Sequence, residues 1–316
     1  MKIVSDCYLV TGGAGFIGSS IARALVERGD RVRILDDFSS GRWENLAELT
    51  GAVEVIEGSI LDDRALAGAM ENVKVVFHEA AIPSVPRSMA EPLANHEANA
   101  TGTLKVLQAA KGAGVQRLVY AASSAAYGSE PRLPKVETMS PSPISPYGGS
   151  KLAGEIYCQV FAAAYGLSTV CLRYFNVFGP RQDPRSEYAA VIPRFITCAL
   201  TGATPVIFGD GTQSRDFCHV DNVVEANLKA AAAPGVSGKT YNIACGVATT
   251  LDGVVAALGG ILGRPIEARH DAERPGDIKH SWADISAARA DLGYTAAVSL
   301  EEGLRRTVPW YVPRPA

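Results

Sequence analysis

The chain has 316 residues, enough for one large α/β unit and a smaller second one, and its 47% hydrophobic content can furnish a sizeable core. A formal net charge of −3 leaves no footprint for nucleic acid, and no run of Lys or Arg marks a membrane surface. No apolar stretch reaches transmembrane length, residues 2–10 lead straight into a glycine turn rather than a signal peptide, and the six scattered cysteines show no metal-ligand spacing. A cytoplasmic protein with free thiols and no metal is expected.

The first half alternates apolar strands with amphipathic helices. Strands are predicted over 7–11, 31–36, 53–57, 73–79, 117–121 and 168–173, and helices over 16–28, 62–70, 93–110 and 147–165. This order predicts an α/β protein with a Rossmann-type, doubly wound parallel sheet. From residue 177 the pattern is broken by Pro180, Pro184, Pro193 and Pro205. A smaller α/β lobe is expected over 177–316, following the doubly wound domain over 1–176. Segments within 216–243 are expected to return to the first domain.

Gly12, Gly15 and Gly18 stand between the first strand and the first helix. In a dinucleotide fold the first allows the tight turn, the second lets the backbone approach a pyrophosphate, and the third lets the helix pack close on the strand. The phosphates would then meet the helix N-terminus. Asp36 closes the second strand about 20 residues on, where an acid binds the adenosine ribose and repels a 2′-phosphate. NAD is the expected cofactor, in preference to NADP.

Tyr147 and Lys151 are four residues apart on a predicted helix and share one face. A lysine ammonium there is expected to lower the tyrosine pKa from about 10, giving a base for an alcohol proton while hydride leaves the same carbon. Ser123, in Ala-Ala-Ser-Ser-Ala-Ala-Tyr, supplies a hydroxyl for the same oxygen.

Six motifs at consistent spacing resemble the extended short-chain dehydrogenase/reductases, specifically the NAD-dependent nucleotide-sugar 4-epimerases. They are Thr-Gly-Gly-Ala-Gly-Phe-Ile-Gly from Thr11, Ser-Val-Pro-Arg-Ser from Ser84, Ser-Pro-Tyr-Gly-Gly-Ser-Lys from Ser145, Leu-Arg-Tyr-Phe-Asn-Val-Phe-Gly-Pro-Arg-Gln from Leu172, Gly-Asp-Gly-Thr-Gln-Ser-Arg-Asp-Phe from Gly209 and Arg-Pro-Gly-Asp-Ile-Lys-His-Ser from Arg274. The resemblance implies Tyr147 as acid/base, Lys151 as its tuner and a ribose ligand, and Ser123 as the helper at O4. It implies that Phe16, Ile17, Asp37, Ser39, Ser40, Ile60, Ala80, Ala81, Asn99 and Phe175 line the NAD site. Asn176, Arg215 and Arg274 would grip the diphosphate, Asp277 the uridine ribose, and Arg87 would add a further cation. Guanidinium groups suit a dianionic linker. A homodimer through the helices over 93–110 and 147–165 is usual in the family.

Relatives that dehydrate or decarboxylate carry acidic groups just after the catalytic Ser, where this chain has Ser124 and Ala125. Epimerisation through a transient 4-keto sugar, with tightly held NAD regenerated each cycle, is therefore expected. In such epimerases the position of Ser281 gates the sugar C2 substituent. Ser281, with Ser124, Gln182 and Ala190, resembles the subgroup acting on UDP-GlcNAc and UDP-GalNAc; a hexose-specific UDP-glucose epimerase and a UDP-uronic acid epimerase are the alternatives. A net dehydrogenase and a non-catalytic binder are the remaining readings. Ser59, Glu79 and Pro83 depart from common family residues, and His78 and His219 read as structural histidines.

Overall fold

The computed structural model describes residues 6–184, 190–273 and 278–312. Its centre is a seven-stranded, wholly parallel sheet. From edge to edge the strands are Lys239–Ile243, Ser168–Tyr174, Arg117–Ser123, Val73–His78, Cys7–Thr11, Arg31–Asp36 and Val53–Glu57. Strand order reverses at Cys7–Thr11, which lies between the second strand and the fourth. The crevice beyond the carboxyl ends at such a switch point is where a doubly wound sheet binds its ligand.

The inner parallel strands are buried on both faces and read as largely apolar runs, while the edge strand Val53–Glu57 alternates with exposed glutamates. One core packs helices Phe16–Glu27 and Val220–Ala232 on one face, around Val10, Ile21, Phe77, Val119 and Val223. The other packs Asp63–Ala69, Gly102–Gly112 and Pro146–Tyr165 on the opposite face, around Leu9, Val76, Leu118, Cys158 and Phe161. Strand Lys239–Ile243 extends the sheet by pairing along Ser168–Tyr174, long after the chain has left it. A third core, around Phe178, Phe195, Ile207, Val254 and Leu304, belongs to helices Val191–Thr201, Leu251–Leu262 and Leu300–Tyr311. Three small sheets accompany it, with strands of two or three residues.

The helix expected over 93–110 is divided. Pro92–His96 and Gly102–Gly112 are α-helical, and Glu97–Thr101 between them is a π-turn. The inserted turn aims Asn95, Asn99 and Thr103 inward. Asn95 and Asn99 hold Ile82 and Ser150, while Thr103 meets His78. The kink thus ties the loop after the fourth strand to the helix that carries Tyr147. Among the described residues no helix is long and apolar enough to cross a membrane, and the six cysteines are free.

Candidate active site

The glycine turn is built for close approach. Gly12 has φ +68°, and a Cβ there would lie 2.7 Å from Ala80 Cα. A Cβ on Gly18 would overlap the Gly12 carbonyl, which fixes helix Phe16–Glu27 hard against the turn. Gly15 caps that helix without a side-chain hydrogen bond, so first-turn N–H groups face the crevice uncapped, the donor set that a dinucleotide pyrophosphate needs. Asp36 is buried, and its carboxylate accepts from Ala14 N and Phe38 N, each at 2.8 Å. Each oxygen keeps a second lone pair for a ribose hydroxyl. Asp37 is exposed beside it and accepts from Ser39 N and Oγ.

Phe16, Ile17, Ala80 and Ala81 are half-buried around the turn, Ser40 is exposed, and Ile60 is buried against Gly102. Asn99 spends its amide on Ile82 and Ser150, and Phe175 is fully buried beside Tyr127. These two support the groove from behind rather than offering it a side-chain surface. Ser59 Oγ accepts from Leu61 N. His78 is fully buried. Thr103 Oγ1 donates to Asn99 O and so accepts from His78 Nε2, while Nδ1 accepts from Thr11 Oγ1 at 2.7 Å. Burial pulls its pKa down to about 3, keeping it neutral and structural. His219 caps Val220–Ala232 by accepting from Asp221 N.

Ser123 ends its strand and caps the short turn Ser124–Ala126, accepting from Ala125 N at 3.1 Å. Ser145 caps the catalytic helix Pro146–Tyr165 in turn, with Pro146 at its first position. Ser88, from helix Val85–Ala90, accepts from Tyr147 N. Farther along, Glu155 and Arg173 form a bidentate pair at 2.7 and 2.9 Å, both 3% exposed, which clamps the helix to the sixth sheet position of the chain. The Ser123 hydroxyl stands close enough to the Tyr147 phenol to pull its pKa down. Lys151 is 4% exposed, its ammonium 4.6 Å from the Tyr120 ring centroid.

The expected depression of the tyrosine pKa is not found. Burial raises it, with Ser123 pulling the other way. Burial lowers the lysine itself, and the largest opposing influence is Glu79.

The second lobe contributes a cavity of about 260 Å³ beside the crevice. It is lined by Asn176, Ala190, Arg194, Gln213 and Arg215, over an apolar floor that includes Phe178, Phe195 and Phe217. Arg215 donates to the carbonyls of Ser214 and Lys279. Ser281 is its half-buried partner across a two-residue parallel ladder. Asn176, Ala190 and Arg215 thus line one cavity, with Ser281 on the strand beside Arg215. Neither Ser281 nor Gln182 is among the lining residues, and Gln182 donates to Val177 O. Arg87 is exposed and paired with Glu91 at 3.0 Å. Arg274 and Asp277 lie outside the described residues. The sequence reading missed Arg194, Gln213 and the aromatic floor, because their elements are too short or too uniformly apolar to mark a cavity.

A dinucleotide groove opening onto Ser, Tyr and Lys side chains defines a short-chain dehydrogenase/reductase type of enzyme. Residues 8–244 match the model of the NAD dependent epimerase/dehydratase family. A UDP-glucose 4-epimerase of Mycolicibacterium smegmatis is 40% identical over 308 residues, covering 96% of this chain and 97% of that protein. Among solved structures, a UDP-N-acetylglucosamine 4-epimerase from Methanobrevibacter ruminantium in complex with UDP-N-acetylmuramic acid superposes with a TM-score of 0.93, at 41% identity and 98% coverage of both chains. A UDP-glucuronic acid 4-epimerase from Bacillus cereus, in complex with UDP-glucuronic acid and NAD, gives 0.89 at 32% identity, covering 96% of this chain and 98% of that one. The chain belongs to the NAD-dependent epimerase/dehydratase family, and its cofactor is NAD.

Proposed function

We propose that this enzyme inverts C4 of a UDP-linked hexose and that its preferred substrates are UDP-GlcNAc and UDP-GalNAc. Its relatives are UDP-sugar 4-epimerases of several substrate types, so the class of reaction follows from kinship and the choice of sugar from the site. The observation that supports the choice is the small Ser281 paired with the cavity-lining Arg215, a position where a large side chain would oppose an acetamido group and a serine does not.

NAD, when bound, would supply the hydride acceptor and donor for C4. Tyr147 would accept the O4 proton, and Ser123, beside the phenol, would steady O4. Arg215 and Asn176 would hold the diphosphate while the 4-keto sugar turns over, and the phenol would give its proton back to O4 of the inverted sugar. Neither Ser124 nor Ala125 supplies the further acid that elimination or decarboxylation needs. Incubation without added NAD, of UDP-GlcNAc, UDP-glucose and UDP-glucuronic acid separately, followed by proton NMR of the anomeric region, tests the reading. The galacto epimer should form fastest from UDP-GlcNAc. No epimer from any of the three, with NAD then supplied, would sink it.

The second proposal is a homodimer. Ile156, Tyr157 and Val160 form an exposed apolar face on the catalytic helix, and Met89 and Leu93 expose apolar surface on the adjoining helices. Isolated apolar residues are normal at a surface; five large ones on this helix and the helices packed beside it support an interface between two copies. Sedimentation should give twice the chain mass, and Val160→Asp should shift it to one.

A further inference from the structure

One ionisable group at the switch point has no part in the scheme above. Glu79 directly follows strand Val73–His78, and its amide donates to Thr11 O at 3.1 Å, where the glycine turn begins. A Cβ on Gly12 would come within 3.0 Å of the Glu79 carbonyl carbon, so the residue is pressed against the turn that receives the pyrophosphate. Side chains alternate along a strand, and Phe77 faces the same core as Tyr174. Glu79 follows suit. The Tyr174 hydroxyl accepts from Asn227 Nδ2 at 2.7 Å and therefore donates to Glu79 Oε1 at 2.9 Å. Asn227 is anchored in turn through Val223 O at 2.8 Å. This chain of bonds spans helix Val220–Ala232, strand Ser168–Tyr174 and the crevice.

The groups facing the carboxyl are Tyr174 from its strand, Lys151 from the catalytic helix and neutral Asn227 from the helix behind. His78, its chain neighbour, turns to the opposite face and is neutral. Burial pushes the Glu79 pKa up to about 7 against the pull of Tyr174 and Lys151, so above neutrality it is a carboxylate, and a cation bound beside it would ionise it further. A sheltered carboxylate with one phenol donor and one ammonium for company has capacity for a further positive charge.

We propose that Glu79 is a counter-charge to the oxidised cofactor and sets the ratio in which the enzyme holds NAD and NADH. The oxidised nicotinamide ring is cationic and the two-electron reduced ring is neutral, so a fixed negative charge in a poorly solvated site favours the oxidised form. The Lys151 ammonium acts in the opposite sense. An enzyme that must give its hydride back in every turnover needs the two states close in energy, and Glu79 offsets Lys151 to keep them so. Glu79 is a positioning residue in this account. The inference rests on Lys151 marking the hydride-transfer end of the groove, not on which sugar is used.

The test is to strip the full-length enzyme of cofactor and titrate it separately with NAD and NADH, by calorimetry and by NADH fluorescence. Glu79→Gln should move the affinity ratio toward NADH by about tenfold, or about 30 mV for a two-electron couple. Glu79→Asp should keep most of the wild-type ratio. Glu79→Leu makes the same charge change without burying a polar group, and the same shift is expected if Glu79→Gln fails to fold by thermal unfolding. A ratio within twofold of wild type in both neutral variants overturns the proposal. Equal loss of affinity for both cofactor forms overturns it too, since that is loss of structure rather than of charge. Wild-type enzyme that shows the ratio but epimerises no sugar would sink the reading of function and leave this one standing.

Discussion

The two halves of the active site are held in different ways. Around Tyr147 and Lys151 every support is deep: a seven-stranded ladder, the buried Arg173–Glu155 clamp, and polar side chains such as Asn99, Ser150 and His78 that bond only inside the protein. Around Arg215 and Ser281 the supports are two-residue strands and bonds to main-chain carbonyls, over a core of its own. The chemistry is mounted on a scaffold that cannot shift without breaking buried bonds. Recognition is mounted on short elements that can change residue by residue at little cost. A family with one reaction centre and several sugars follows naturally from that division.

The comparison implies an order of sensitivities. Tyr147→Phe removes the acid/base and should cost about 10²–10⁴-fold in turnover while NAD still co-purifies, checked by absorbance of the released cofactor. Loss of NAD together with activity would place the tyrosine in binding instead. Glu155→Ala touches no substrate but strands a buried guanidinium, and denaturant titration should show about 3–5 kcal/mol lost. The matching test in the other half is Asp271→Ala, which breaks the exposed pair with Arg269 and should cost about 0–1 kcal/mol. Equal losses would abolish the distinction between the halves. Arg215→Ala removes a charged donor from the cavity and should weaken substrate binding by about 1.5–3 kcal/mol, read as a raised KM with a smaller change in kcat.

The same division explains what could be read from sequence. All six strands predicted in the first half begin on the observed residue and end within two of it, because short apolar runs between turns and helices are a strong strand signal. Gly12, Gly15, Gly18, Ser123, Tyr147 and Lys151 were legible because backbone geometry and helical period dictate their spacing. The π-turn at Glu97–Thr101 was not, since an inserted residue leaves no mark on an alanine-rich helix. Nor was the direction of the Tyr147 pKa. Spacing reveals which residues share a face, but the charge that Lys151 answers to is Glu79, 72 positions earlier in the chain. The cavity in the second lobe was legible only through kinship, because strands such as Ser214–Arg215 are too short for any periodicity.

The remaining expected effect is the one that bears on substrate choice. Ser281 sits on the strand next to Arg215, which lines the cavity. Ser281→Tyr adds a ring to a half-buried position beside it. If that position meets the C2 substituent, the ring should cost the acetamido substrate about 1–3 kcal/mol in overpacking, and the unacetylated one little. The ratio of kcat/KM for UDP-GlcNAc over UDP-glucose should then fall about tenfold, with the two rates for UDP-glucose nearly equal in variant and wild type. A ratio that stays constant while both rates fall would mean that the ring disturbs the cavity as a whole. The room for an acetyl group would then have to come from elsewhere, with Ala190 the next small residue on the cavity wall to enlarge.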